Sequence, residues 1–91
     1  MKVRYLNSFI LQFESMPAQD RRKVTGAVSG LLGFIEKRVR PPAGLGIKKL
    51  RKNLWEARAG IRTRVLFALE PGLVTFAFTG NHDEIRRYLR K

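Results

Sequence analysis

Hydrophobic residues in the first forty positions recur at the spacing of α-helices. After a strand-like stretch at Val3 and Tyr5, a first apolar series runs up to Pro17 and comprises Leu6, Phe9, Ile10, Phe13 and Met16. A second series forms one stripe and comprises Val24, Val28, Leu31, Leu32, Ile35 and Val39. The pattern predicts a short strand and then a helical hairpin with one buried seam. Asn7 or Ser8 is the expected N-cap of the first helix.

Three glycines share one side of the predicted second helix: Gly26, Gly30 and Gly33. A glycine inside a helix costs about 1 kcal/mol of stability relative to alanine. We therefore expect another element to pack closely against this side, and the alternative is a groove in which a partner docks.

The hydrophobic period changes to two after the segment Arg40–Gly46, which is rich in proline and glycine and predicts a loop. Apolar and other residues alternate over 65–69 and again over 74–78, and the turn signal Glu70-Pro71-Gly72 separates the two runs. This pattern predicts an antiparallel hairpin with one packed face and one available face. The segment 54–59 is expected to add a third strand beside it.

The C-terminal end carries the signature of a helix start. Asn81, with Glu84 three residues later, fits a capping box and predicts a last helix that extends to Arg90. The order of elements is then strand, two helices, three strands and a short helix. We therefore predict a single α+β domain over residues 1–91, with an N-terminal strand and helical hairpin packed on an antiparallel sheet.

The charge of the chain narrows the choice of partners. Nineteen Lys and Arg against seven Asp and Glu give a net charge of +12 and a pI of about 11.4, so an acidic partner is expected. No apolar run approaches the roughly 20 residues that span a bilayer, and the amphipathic helices use their apolar stripes for the core. Since cysteine is absent, there is no thiolate metal site. We expect a cytoplasmic protein without a metal or other cofactor, and no membrane partner.

Positive charge is concentrated between Lys48 and Arg64, where seven cations and a single acid surround two strand-like segments. A globular core does not require this concentration. A surface that binds a polyanion does, because each Lys or Arg that meets a phosphate releases condensed counterions. Together with the downstream segment Gly80-Asn81-His82-Asp83-Glu84, this concentration of charge indicates a site directed at RNA.

Four segments of the chain resemble the RelE/ParE superfamily of toxins from type II toxin–antitoxin pairs. They are Lys48-Lys49-Leu50, Leu54-Trp55-Glu56-Ala57-Arg58, Thr63-Arg64-Val65-Leu66-Phe67 and Gly80-Asn81-His82-Asp83-Glu84. The resemblance implies a RelE-like fold and a choice between two functions. RelE-like members are ribosome-dependent mRNA endonucleases held silent by a cognate antitoxin, whereas ParE-like members share the fold and inhibit DNA gyrase.

The resemblance to RelE-like members implies metal-independent RNA cleavage, in which a 2′-hydroxyl attacks the adjacent phosphate. That reaction needs a proton acceptor, cations on the phosphate oxygens and a proton for the departing 5′ oxygen. His82 is the only histidine, and imidazole titrates near neutral pH. Guanidinium groups bind phosphate in a fixed fork. The candidate catalytic residues are Arg58, Arg64, His82, Lys49 and Tyr88.

Other cations are candidates for contact with mRNA or the ribosome, and an acidic antitoxin is the expected protein partner. These cations are Lys48, Arg51, Lys52, Arg62, Arg86 and Arg87. In an arbitrary protein, Lys48 to Lys52 would form a solvated face, and Arg58 and Arg64 would be solvated strand arginines.

Simpler roles stand beside the catalytic ones. His82 could be a surface residue near a helix start. Asp83 and Glu84 are expected to be helix-start acids, with orientation of His82 as the alternative. Trp55 is expected to anchor the core or its rim, with stacking on a base as the alternative. Tyr88 lies two positions beyond the place where the family motif carries its tyrosine, so it could instead cover the end of the sheet. Acid–base work would then fall to His82 and Glu56.

Three functions compete. The leading prediction is a ribosome-dependent mRNA endoribonuclease, because His82 and the paired arginines supply groups that an inhibitor does not need. The main rival is gyrase inhibition, a binding function without catalysis. A small RNA-binding or ribosome-associated protein would use the same basic face without cutting the strand.

Overall fold

The computed structural model describes residues 1–37, Arg40 and residues 44–90. These residues form three helices and five strands. In chain order the elements are β1 (Lys2–Tyr5), α1 (Asn7–Ser15), α2 (Ala18–Lys37), β2 (Lys48–Arg51), β3 (Leu54–Arg58), β4 (Arg64–Glu70), β5 (Leu73–Gly80) and α3 (His82–Leu89). The predicted α+β class is confirmed, as are the helical hairpin, the strand hairpin and the strand at 54–58.

The five strands form one mixed sheet in the order β1-β5-β4-β3-β2. Neighbouring strands are antiparallel except β1, which pairs in parallel with the first half of β5. The sequence predicted an antiparallel sheet. The parallel pairing of β1 with β5 makes the observed sheet mixed. Helix α1 follows β1 and covers the second half of the β5 edge with which β1 pairs. Ser8 Oγ donates to the carbonyl of Ala77 at 2.6 Å, and Gln12 Nε2 donates to the carbonyl of Thr79 at 3.1 Å.

The predicted N-cap of α1 is wrong. The N-cap is Leu6, which has no side-chain hydrogen bond to the helix end, and Asn7 is already helical. Ser8 does not cap the helix either, because its hydroxyl donates to Ala77 O on β5. The tertiary contact with the strand edge takes the place of the local cap.

The core lies between α1, α2 and one face of the sheet. Val24 and Leu31 of the predicted stripe are fully buried and pack with Phe67 and Phe76 of the sheet. Full burial of one such side chain contributes about 1.5–3 kcal/mol. The predicted seam is thus confirmed for the part of the stripe that the structure describes; Val39 lies outside the described residues, as do residues 41–43 of the predicted loop.

In the described residues, close packing is not observed at two of the three glycines on this side of α2, Gly26 and Gly33. A Cβ built on Gly26 or Gly33 would meet no atom within 4 Å. For these two glycines the prediction is wrong, since their side of the helix faces open space.

Strand β2 was not predicted as a strand. Residues Lys48–Arg51 pair with β3 in antiparallel fashion, with an irregularity between Lys49 and Arg51. The strand lies at the edge of the sheet and most of its side chains are exposed, so it needs no apolar alternation. Lysines on an edge strand also discourage pairing with other chains.

Helix α3 begins with the predicted capping box. Asn81 Oδ1 accepts a hydrogen bond from Glu84 N at 2.8 Å, and Glu84 Oε1 accepts one from Asn81 N at 2.9 Å. The helix packs on β4 and β5, with Ile85 buried. Leu66 is buried but lies outside the main core cluster. The second face of the sheet is therefore partly covered, whereas the sequence predicted that this face would be available. In the described residues, no helix is long and apolar enough to cross a membrane.

Candidate functional site

The strand register collects the predicted site residues on the face of the sheet opposite the main core. Val65 is buried in the core cluster, so the alternation of a strand turns Arg64 to the other face. Arg58 pairs directly with Arg64, and Arg64 pairs with Gly80 on β5. The chain then reaches His82, the first residue of α3, two positions beyond Gly80.

These residues line one small cleft. Its walls are formed by Gly46, Lys48, Glu56, Arg58, Arg64 and His82, and it encloses ≈ 180 Å³. Pockets for whole drug-sized ligands are usually about 300–1,000 Å³, so this cleft fits a phosphate group with part of a nucleotide. Three cations, one carboxylate and one imidazole meet there, which gives the cleft a positive charge.

One ion pair organises the cleft. Arg64 Nε lies 3.1 Å from Glu56 Oε1, and the two side chains are 22% and 13% exposed. Arg64 Nη1 is buried and has no hydrogen-bond partner in the described residues. An unsatisfied buried donor costs about 1–3 kcal/mol, so Arg64 is held by Glu56 with one donor that the described residues do not use.

A loop before β2 forms one wall of the cleft. Leu45 is buried in the core, and its carbonyl accepts a hydrogen bond from Arg58 N at 2.6 Å. Gly46 follows with φ +52, and a Cβ built on it would lie 3.8 Å from the Cβ of Arg58. Neither residue is among the site residues predicted from the sequence, although Leu45 between two glycines was an available signal.

The capping box fixes the position of His82. Its hydrogen bonds involve Asn81 and Glu84, so the imidazole of His82 is not needed for the helix start and stays exposed at the cleft. Asp83 and Glu84 lie in the first turn of α3. Their predicted role as helix-start acids is confirmed.

Lys49 lies away from the cleft. It pairs with Trp55, whereas Lys48 pairs with Glu56, so the two lysines point to opposite faces of the sheet. The Lys49 ammonium stands 5.7 Å from the centre of the Trp55 ring, and Trp55 packs against the core cluster, as predicted. The structure thus does not bring Lys49 together with Arg58, Arg64 and His82.

Tyr88 also lies outside the cleft. Its ring stacks on Phe78, with centroids 4.5 Å apart and an interplanar angle of 16°. Its hydroxyl stands 3.5 Å from Ser8 Oγ on α1. This half-buried position joins α3 to the sheet and to α1. It agrees with the alternative in which Tyr88 covers the end of the sheet, and it does not bring Tyr88 together with the other catalytic candidates.

The remaining predicted contact residues are spread over the surface. Arg51 Nη2 donates to Leu89 O, at the end of α3, at 3.3 Å. Lys52 is exposed in the β2–β3 turn, and Arg86 and Arg87 are exposed on α3. Arg62 is exposed in the β3–β4 loop and lines a separate polar depression with Gln12, Asp20 and Asn81, among others.

Within the described part of the chain, no group of three or more His, Cys, Asp or Glu could hold a metal ion.

The architecture is the RelE-like toxin fold. One solved structure with this fold is the E. coli DinJ–YafQ toxin–antitoxin complex, which matches 92% of this chain and 94% of the other with a TM-score of 0.70 and 19% identity. The RelB–RelE antitoxin–toxin complex from Methanococcus jannaschii matches 93% and 96%, with a TM-score of 0.69 and 14% identity. The archaeal RelE–RelB complex from Pyrococcus horikoshii matches 88% and 92%, with a TM-score of 0.66 and 17% identity.

At these identities the likeness establishes the fold. No protein-family model matches the chain, and no curated protein matches it in sequence.

Proposed function

We propose that this protein is the toxin of a type II toxin–antitoxin pair and a ribosome-dependent mRNA endoribonuclease. The observation that carries the proposal is the single cleft in which Lys48, Arg58, Arg64 and His82 meet. Three cations suit a phosphate, and an imidazole beside them suits proton transfer. The RelE-like fold and the family motifs around these residues support the same function.

In the proposed reaction, the 2′-oxygen of a nucleotide attacks its own 3′-phosphate and displaces the 5′-oxygen of the next nucleotide. A 2′,3′-cyclic phosphate and a 5′-hydroxyl result, and because the attacking oxygen belongs to the substrate, no external nucleophile is consumed. Arg58 and Arg64 hold the phosphate oxygens, on which charge accumulates in the transition state. Lys48 adds positive charge to the cleft. His82 accepts the proton of the 2′-hydroxyl or donates a proton to the departing 5′-oxygen, and water completes the other transfer.

The surface cations suit the ribosomal part of the proposal. Arg51, Lys52, Arg86 and Arg87 lie outside the cleft but on exposed parts of β2, its turn and α3. In the proposed complex these side chains contact ribosomal RNA or the mRNA backbone, a contribution that weakens steeply with salt.

The proposed protein partner is an acidic antitoxin. The net charge of +12 favours association with an acidic chain, and the complexes named above pair toxins of this fold with antitoxins. Co-purification with the product of the neighbouring gene, weakened by salt, is the expected result. Salt-insensitive binding, or none, would contradict an acidic antitoxin.

The test is to add the purified protein to a reconstituted translation system and to map mRNA ends by primer extension, with and without ribosomes. New ends only in the presence of ribosomes would support the proposal. Cuts on naked RNA would replace it with a ribosome-independent nuclease. If the folded protein makes no cuts, a gyrase supercoiling assay would decide between gyrase inhibition and non-catalytic RNA binding.

A further inference from the structure

Glu56 is the one acidic side chain among the residues that line the cleft. It lies between cations on both neighbouring strands: Lys48 is its register partner on β2, and Arg64 binds it from β4. A carboxylate reduces the positive charge of a cleft that should hold phosphate. Its presence there calls for a role other than phosphate binding.

We propose that Glu56 is a positioning residue for Arg64, an inference that rests on the proposed nuclease function. The carboxylate holds Nε of Arg64 at 3.1 Å, while Nη1 is buried and has no acceptor among the residues that the structure describes. The ion pair therefore fixes the guanidinium of a residue that lines the cleft. Glu56 acts on the reaction through Arg64, not through direct contact with the reacting atoms.

The charges around Arg64 explain why it needs such a partner. Arg58 stands directly opposite Arg64 in the β3–β4 ladder, and like charges placed opposite each other on a sheet repel. Without Glu56, the Arg64 side chain would turn away from Arg58 toward solvent. Glu56 lies two positions before Arg58, on the same face of β3. Its carboxylate offsets this repulsion and keeps both arginines at the cleft.

The proposal predicts opposite effects on binding and on cleavage. Loss of the carboxylate adds one positive charge to the cleft, which favours binding of a polyanion. The same loss releases Arg64, and a misplaced catalytic group can slow a reaction about 100-fold. A variant at Glu56 should therefore bind the programmed ribosome at least as well as the wild type and cut more slowly.

The experiment measures single-turnover cleavage on ribosomes programmed with a short mRNA, at saturating and at limiting toxin. Glu56→Ala should slow the saturated rate about 100-fold without raising the half-saturating concentration. Glu56→Gln should lose less, because its amide oxygen can still accept from Arg64 Nε. Glu70→Ala removes an exposed acid at the far end of β4, outside the cleft, and should cut like the wild type.

A double-mutant cycle separates positioning from direct proton transfer. In an Arg64→Ala background, Glu56→Ala should change the rate by about threefold or less, because its target is already gone. The proposal is overturned if Glu56→Gln is as slow as Glu56→Ala and both retain their full effect without Arg64. It is also overturned if every Glu56 variant cuts like the wild type, or if weaker binding and a lower Tm accompany the loss.

A second measurement does not depend on cleavage. In a ¹⁵N spectrum of arginine Nε–H groups, assigned with Arg64→Lys, the Arg64 signal should be distinct in the wild type and should respond to inorganic phosphate. In Glu56→Ala that signal should broaden or merge with those of solvated arginines. If the wild type shows this spectral result but does not cut mRNA, the nuclease function is rejected, whereas the positioning of Arg64 by Glu56 still holds. An Arg64 signal identical in both proteins would reject the positioning role.

Discussion

Arg58 and Arg64 stand directly opposite each other at the end of the β3–β4 ladder, although both are positively charged. Such a pair is unfavourable in a sheet unless a negative group offsets it. Glu56 supplies part of that offset through its ion pair with Arg64 Nε, and Arg64 Nη1 is buried without a hydrogen-bond partner in the described part of the chain. The arrangement is typical of a site prepared for an anion.

Arg64→Ala should abolish toxicity. It removes a guanidinium that the proposed reaction needs for the phosphate, and a loss of at least about 100-fold in cleavage is expected. Growth of cells after induction, together with cleavage on programmed ribosomes, checks this result. Circular dichroism and thermal unfolding should show that the variant remains folded.

Arg22→Ala is the matched control for Arg64→Ala, because Arg22 is exposed on α2 and lies away from the cleft. It should arrest growth like the wild type. Growth arrest that persists in Arg64→Ala would remove Arg64 from the site.

His82→Ala should lower the cleavage rate about 10²–10⁴-fold, the usual contribution of a positioned acid or base. Binding to the ribosome should change little, because His82 is exposed and takes no part in the capping box. Cleavage and ribosome binding are measured on the same preparation. Parallel loss of both would indicate a structural role for His82.

Tyr88→Phe should cut like the wild type, since it keeps the ring that stacks on Phe78 and loses only a hydroxyl 3.5 Å from Ser8 Oγ. Tyr88→Ala removes the stack and should lower the free energy of unfolding by about 3 kcal/mol or somewhat less. Urea unfolding and single-turnover cleavage are the measurements. A large loss of cleavage in a stable Tyr88→Phe variant would instead assign a catalytic role to the hydroxyl.

Gly80→Ala should destabilise the start of α3. A Cβ at this position would lie 2.9 Å from Glu84 Oε1 and 3.2 Å from Gln12 Nε2, atoms that belong to the capping box and to the α1–α3 contact. The expected loss in the free energy of unfolding is about 1–3 kcal/mol.

Gly26→Ala is the counterpart of Gly80→Ala in the same urea titration. Gly26 lies inside α2, and its Cβ would meet nothing within 4 Å. The variant should gain about 0.5–1 kcal/mol of stability. A loss at Gly26 comparable to that at Gly80 would show that the glycine side of α2 is not open.

The sequence by itself determined the local elements and the chemistry available to them. Periods of 3.6 and of two depend on neighbours along the chain, so they located α2, the β4–β5 hairpin and β3. The capping box at Asn81 is likewise a local signal. The alternation of side chains along β4 likewise places Arg64 and Val65 on opposite faces of the strand.

Only the tertiary structure decided which of these residues meet. The register of β2 against β3 separates Lys48 from Lys49, and the β3–β4 ladder places Glu56 within reach of Arg64. The stack on Phe78 keeps Tyr88 outside the cleft. Each outcome depends on pairing between segments distant in sequence, and a shift of one residue in that pairing would turn every side chain of the strand to the opposite face.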